Sequence, residues 1–102
     1  MKILLACSAG MSTSLVVAKM QDAAKAHGKD YKIWAVEQGE IQNELGNFDV
    51  LLLGPQVRYL EKEYKPLCEQ KGKGFGVIPM QTYGRMDGKG CMELARKAFA
   101  DK

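Results

Sequence analysis

At 102 residues, with 46% hydrophobic and 26% charged side chains, the chain reads as one soluble globular domain, 1–102, and not as a disordered or membrane-spanning sequence. Its net charge of +3 comes from 15 basic and 12 acidic residues spread along the chain, which argues against a nucleic-acid footprint or a polybasic lipid anchor. Three widely spaced cysteines form neither a disulfide framework nor a CxxC or Cys/His metal pattern, so a reducing, cytosolic compartment and no metal are expected.

Lys2 to Ala6 is a compact apolar run ending where small and hydroxyl residues begin, the pattern of the first, central strand of an α/β domain. Leu4-Leu5-Ala6-Cys7 behind Lys2 imitates the end of a lipoprotein leader. Only Ile3 to Ala6 precede the cysteine, however, against the about 7 to 15 apolar residues of a secretory signal. The next stretch, Cys7-Ser8-Ala9-Gly10-Met11-Ser12-Thr13-Ser14, joins that strand to a helix. Gly10 lets the chain turn, and Ser12, Thr13 or Ser14 caps the helix. Val16, Met20, Ala23, Ala24 and His27 recur at helical spacing, and Gly28 is the stop. His27, the sole histidine, reads as a helix-terminal residue rather than a catalytic base.

Tyr31 to Val36 has the β-forming composition of a second strand in which Trp34 packs, and Glu37 to Leu45 suggests a short helix. Phe48 to Leu53 is a continuous apolar strand interrupted by Asp49 and ended by Gly54-Pro55. Val57, Leu60, Tyr64, Leu67 and Cys68 then mark a helix face that Pro66 should kink or split, with Cys68 in the core. Lys71 to Gly74 lacks the spacing of a nucleotide loop and reads as a solvated turn before a fourth strand, Phe75 to Ile78. Gln81 to Gly88 reads as a loop. Cys91, Leu94, Ala95, Ala98 and Phe99 form the buried stripe of a last helix.

The alternation predicts a four-stranded parallel sheet with helices on both faces, a three-layer α/β sandwich whose ligand edge lies at the carboxyl ends of the strands. Cys7, the Gly54-Pro55-Gln56 loop and the Gln81 to Gly88 loop gather there. At a helix N-terminus, unpaired amides and the dipole stabilise a thiolate and cradle a phosphate-sized anion. A cysteine before such a loop also resembles the low-molecular-weight tyrosine phosphatases, whose loop follows Cys-x5-Arg. Here Thr13 stands six residues after Cys7, so the guanidinium that grips phosphate is missing from the loop. Asp87 is the one nearby candidate for the acid that hydrolysis needs. A thiolate in an anion-binding loop with poor equipment for hydrolysis suits a carrier that holds a phosphoryl group until an acceptor arrives. Two other readings stand beside it: a phosphatase-like thiol enzyme, or a non-catalytic, flavodoxin-like anion-binding module. A thiol reductase would need a resolving thiol, for which Cys68 and Cys91, on buried faces, are poor candidates.

Three motifs, Cys7-Ser8-Ala9-Gly10-Met11-Ser12-Thr13-Ser14, Leu53-Gly54-Pro55-Gln56-Val57-Arg58-Tyr59 and Tyr83-Gly84-Arg85-Met86-Asp87-Gly88, together resemble the enzyme IIB components of the bacterial sugar phosphotransferase system, in the lactose, cellobiose and chitobiose branch. The resemblance spans the whole chain in order, and nothing departs from it in a way that removes the chemistry. It implies a sugar phosphotransferase in which Cys7, the nucleophile, takes phosphate from a phosphohistidine of the IIA component. Cys7 then passes it to a sugar, a β-disaccharide such as cellobiose, chitobiose or lactose, imported by the membrane IIC component. It also implies a cytoplasmic protein that meets the membrane only through IIC, with no metal or cofactor. Ser8, Ala9, Gly10, Met11, Ser12, Thr13 and Ser14 would form the phosphate loop through their amides and hydroxyls. For Ser12 a plain helix cap is an equal reading. Met11 reads as a partner contact, and Gln56, Tyr59, Tyr83 and Arg85 serve equally as rim contacts or as packing.

Overall fold

The computed structural model describes the backbone of residues 1–7 and 10–100 and the side chains of 1–7 and 14–99. Ser8 and Ala9, and the side chains of Met11, Ser12 and Thr13, to which the sequence assigns loop roles, lie outside the described residues. Strand β1 (Lys2–Cys7) leads into α1 (Gly10–Ala26), β2 (Lys32–Glu37), a 3-10 turn (Gln38–Glu44) and β3 (Val50–Leu53). A second 3-10 turn (Pro55–Leu60) runs into α2 (Glu61–Gln70), followed by β4 (Gly74–Val77), the short α3 (Met80–Gly84) and α4 (Gly88–Ala100). The four strands are parallel in the order β2-β1-β3-β4. The direction in which strands are added therefore reverses between β1 and β3, and at the carboxyl end of that seam lies the topological switch point.

After the exposed Lys2, β1 is apolar because it has neighbours on both edges and cover on both faces. Leu4 and Ala6 face one layer, Ile3 and Leu5 the other, and all four are buried. Ile3 and Leu5, with Val50 and Leu52 of β3, pack against Val16, Met20 and Ala24 of α1 and Cys91, Met92 and Ala95 of α4. On the other face Leu4, Ala6, Leu51 and Leu53 pack against Ile41, Phe48, Val57, Tyr64 and Cys68. Each fully buried leucine contributes about 1.5 to 3 kcal/mol of transfer free energy, so the two layers supply the main driving force for this sandwich. Asp49 interrupts the apolar run without loss, because its carboxylate accepts the Lys2 amide at 2.9 Å and starts the β1–β3 ladder. Trp34 packs on the second layer beneath the Lys32 ammonium, 5.2 Å from its ring centroid.

The helix stops follow the sequence. Gly28, at φ 68°, is a left-handed C′ residue, with its amide bonded to the Lys25 carbonyl and the Lys29 amide to that of Ala24. Gly72, at φ 69°, ends α2 in the same way, so the Lys71 to Gly74 turn is a helix stop, and Lys73 donates to the Phe48 carbonyl at 2.6 Å.

Several expectations need correction. Helix α1 begins at Gly10, which places Ser12, Thr13 and Ser14 inside it and rules them out as N-caps. α2 runs through Pro66, which lies on the exposed face where the freed carbonyl can be hydrated. The break comes earlier, at Val57, with φ −120° and ψ 23° in the 3-10 turn. The stretch 38–44 winds as 3-10 rather than α. Gln81 to Gly88 is not simply a loop, since α3 occupies its first half. Phe99 is 38% exposed instead of completing the buried stripe of α4.

α4 approaches α1 so closely that a Cβ at Gly88 would lie 2.2 Å from the Lys19 carbonyl carbon. The obstacle is backbone and cannot rotate away. Gly88→Ala should therefore lower the stability to urea unfolding by at least about 1 to 3 kcal/mol. Gly84→Ala, which meets nothing within 4 Å, should change it by less than about 0.5 kcal/mol.

Candidate functional site

Cys7 is the last residue of β1 and is 2% exposed. Three neighbours define its position. On one side Glu37 of β2 stands at its register position. On the other, Gly54 follows β3 and its amide donates to the Ala6 carbonyl at 2.8 Å, extending the ladder beyond the end of the strand. A Cβ at Gly54 would sit 3.1 Å from the Cys7 Cβ and 3.1 Å from Gln56 Oε1. The glycine thus makes room for the thiol-bearing residue, and Gln56 lies beside that gap. Third, the Tyr83 hydroxyl donates to Cys7 Sγ across 3.9 Å in a buried contact.

Tyr83 lies near the end of the short α3. Its amide bonds to the Pro79 carbonyl at 3.0 Å, and its carbonyl accepts the Met86 amide at 3.0 Å. Met86, at φ 51°, adopts the left-handed C′ conformation without being glycine. The next residue, Asp87, turns the chain into α4. One of its carboxylate oxygens accepts the Gly90 amide at 2.9 Å as an N-cap. This is a structural use for the carboxylate that the sequence offers as a phosphatase acid.

The other candidates spread around the edge. Tyr59 is exposed and donates to Gln38 Oε1 at 2.6 Å, tying together the two 3-10 turns, while Arg85 is exposed after α3. Ser14 is exposed on α1. The structure thus brings Cys7, Gln56 and Tyr83 together and leaves Tyr59 and Arg85 on the outer rim. His27 is the C-cap of α1, and the 17-residue helix separates it from the edge bearing Cys7 by about 25 Å, too far for a base. Packing and rim contact are equal sequence readings for Tyr83, since a tyrosine in a glycine-rich stretch has no periodicity to read, and the structure buries it. The Gly54 approach was hidden.

Electrostatically, α1 directs its N-terminus, with the backbone amides of residues 10–13 free of intrahelical partners, toward the edge where β1 ends. Among the described residues no group of three or more His, Cys, Asp or Glu side chains gathers in a way that could hold a metal ion. Cys68 and Cys91 are fully buried in opposite layers. Burial, and then the charge of Asp87, push the Cys91 thiol up to about 11.

A three-layer α/β sandwich with a cysteine at the switch point and an anion-receptive helix behind it defines a class, the small thiol-bearing domains that share the low-molecular-weight phosphatase fold. The chain belongs to the lactose/cellobiose-specific IIB subunit family of the phosphotransferase system, whose family model matches residues 2–94. It is 44% identical over 94 residues, 92% of this chain and 91% of the relative, to the oligo-β-mannoside-specific EIIB component of Bacillus subtilis. It is 50% identical over 91 residues, 84% of each chain, both to the galactose-specific EIIB component of Lactococcus lactis subsp. cremoris and to the cellobiose-specific one of L. lactis subsp. lactis. The solution structure of a cellobiose-specific IIB component from Borrelia burgdorferi superposes with a TM-score of 0.81 at 36% identity, covering 100% of this chain and 94% of that one. The lactose-specific IIB domain of Streptococcus pneumoniae shares the fold at a TM-score of 0.85 and 17% identity, covering 97% of both chains. The chain is therefore a sugar phosphotransferase component with a phosphoryl-carrier role, and this family works with IIA and IIC components.

The buried Cys91 should resist alkylation in the folded protein at pH 8 and react on unfolding, as read by peptide mass. Its thiol ionises more easily in the unfolded chain than in the folded one. Its contribution to stability is therefore intact below about pH 9 and falls, by on the order of 2 kcal/mol, as pH rises toward 11. The decline in urea midpoint over that range should be shallower in Cys91→Ala.

Proposed function

We propose that Cys7 is the phosphocysteine of this carrier. A phosphohistidine of the IIA component donates the phosphoryl group, and a sugar bound by the membrane IIC component accepts it. In the first step the thiol sulfur forms the S–P bond, the N–P bond breaks, and the thiol proton balances the freed imidazole. In the second, a sugar hydroxyl takes the phosphoryl group and its proton balances the returned thiolate. The observation that carries this reading is the position of Cys7 at the switch point, at the end of the central strand and beside the N-terminus of α1. Amides of residues 8 to 14, with Ser8, Ser12, Thr13 or Ser14 as added donors, would neutralise the phosphate. The absence of an arginine at position 13 favours retention over hydrolysis.

Residues 1–102 would act as one cytoplasmic carrier domain that reaches the membrane only by docking on IIC. Four exposed apolar side chains, Leu15, Tyr59, Met80 and Met86, stand on elements that begin or lie at the same carboxyl edge as Cys7. A rim of this kind suits protein partners that must exclude water from a transferring phosphoryl group. Met11 would join it. Because relatives named for three different sugars are comparably similar to this chain, the sugar would be selected by IIC.

Incubation with phosphorylated IIA should produce one phosphoryl adduct on the natural protein, with thiophosphate lability, and none on Cys7→Ser. No adduct with a competent donor would remove this reading, and an adduct on Cys7→Ser would assign the acceptor elsewhere. Met80→Asp should leave thermal stability within about 0.5 kcal/mol of the natural protein, because the side chain is exposed. It should slow transfer from IIA roughly tenfold at subsaturating donor, a loss of about 1.4 kcal/mol.

A further inference from the structure

We infer that Tyr83 is a second catalytic residue, whose phenolic O–H donates a hydrogen bond to Cys7 sulfur and stabilises it as a thiolate. The inference rests on Cys7 being the phosphoryl carrier. The contact is 3.9 Å long and buried, and Tyr83 itself is 7% exposed. Its ring packs in the layer that contains Val16, Ile78 and Met92, so the hydroxyl is carried to the sulfur by a fixed support. The support is specialised. α3 has five residues, too few to be stable as an isolated helix, and it is held between the extended Pro79 and the left-handed Met86.

A neutral thiol is a weak acceptor, whereas a thiolate is a strong one, so the same O–H is worth more to ionised than to protonated sulfur. That difference acts on both halves of the relay. When Cys7 attacks phosphohistidine, the hydrogen bond increases the fraction of sulfur present as the nucleophile. When the S–P bond later breaks, its electron pair returns to sulfur and the hydrogen bond stabilises the departing thiolate, while the phosphoryl group bonds to the sugar oxygen. Tyr83 keeps its proton throughout; the hydroxyl proton of the sugar balances the thiolate. The interaction is stronger in the charged state that forms during transfer than in the resting thiol, which is the condition for acceleration.

The test is the pH dependence of Cys7 alkylation by iodoacetamide, followed by mass of the Cys7 peptide, in the natural protein and in Tyr83→Phe. Phenylalanine keeps the ring in its packing and removes only the donor. Charged groups around the carboxyl edge, Glu37 on β2, Arg58 in the second 3-10 turn, Arg85 after α3 and Asp87 before α4, are unchanged by the substitution. The alkylation midpoint should rise by about half to one pH unit. Phosphoryl transfer out of Cys7 should slow roughly three- to tenfold. A merely structural role would alter the melting temperature and leave the midpoint in place, and an unchanged midpoint in folded Tyr83→Phe overturns the inference. Should Tyr83→Phe not fold, 3-fluorotyrosine introduced at position 83 retains the hydroxyl as a stronger donor. The midpoint should then fall, and no movement overturns the inference. Alkylation needs no phosphate, so failure of the natural protein to be phosphorylated would count against the carrier reading alone.

Discussion

The Gly54 amide, donating to the Ala6 carbonyl at 2.8 Å, carries the seam between β1 and β3 one step past the end of β3. That step brings the two strand ends together, and it demands a residue without a Cβ, because one would press on Cys7 at 3.1 Å. The thiol is thus enclosed by backbone on both sides before any side chain of the site is considered. Parallel pairing with β2 on the other side completes the enclosure. The remaining elements act on what this junction leaves open: α1 presents its N-terminus to the edge, α3 lowers Tyr83 onto the sulfur, and the second 3-10 turn carries Gln56 to the gap beside Gly54. Moving the junction by one residue would turn the alternate side chains of β1 to the opposite layers and take Cys7 away from all of them.

This arrangement explains how two similar loops serve different chemistry. A phosphatase needs a cation to drive hydrolysis and an acid to release the leaving oxygen. In this chain the loop position for the arginine is Thr13, and the carboxylate of Asp87 is engaged as the N-cap of α4. The sandwich therefore lacks a guanidinium at that loop position and holds that carboxylate in a cap, which suits the carrier role proposed for Cys7. A covalent carrier benefits from poor intrinsic turnover, since every hydrolysed phosphocysteine wastes a donor.

Much of the fold was legible because its elements are long enough to show a period. The continuous apolar run of β1, the helical spacing of Val16, Met20 and Ala24, and the glycine after His27 identify a central strand, its crossover helix and the stop. The position of Cys7 was legible for the same reason, at the carboxyl end of a central strand. The local geometry of the site was less so. Three consecutive hydroxyl residues, Ser12, Thr13 and Ser14, all looked like caps, and the helix overrides them by starting at Gly10. α3 is too short for periodicity, so rim contact and packing stood level for Tyr83 until the structure buried it against Cys7. Pro66 illustrates the opposite error. A strong local rule gave way because the face on which the proline sits is exposed.

β4 has two glycines in its four residues, and both face packing rather than open space. A side chain at Gly74 would meet the Phe99 backbone at 3.0 Å, and one at Gly76 the Leu52 side chain at 3.2 Å. The last helix consequently lies almost directly on the backbone of the outer strand, which lends that strand little ordering preference of its own. Such a strand borrows its order from its cover. Loosening the C-terminal helix would therefore release the outer strand with it, while the doubly flanked centre of the sheet keeps its own cover.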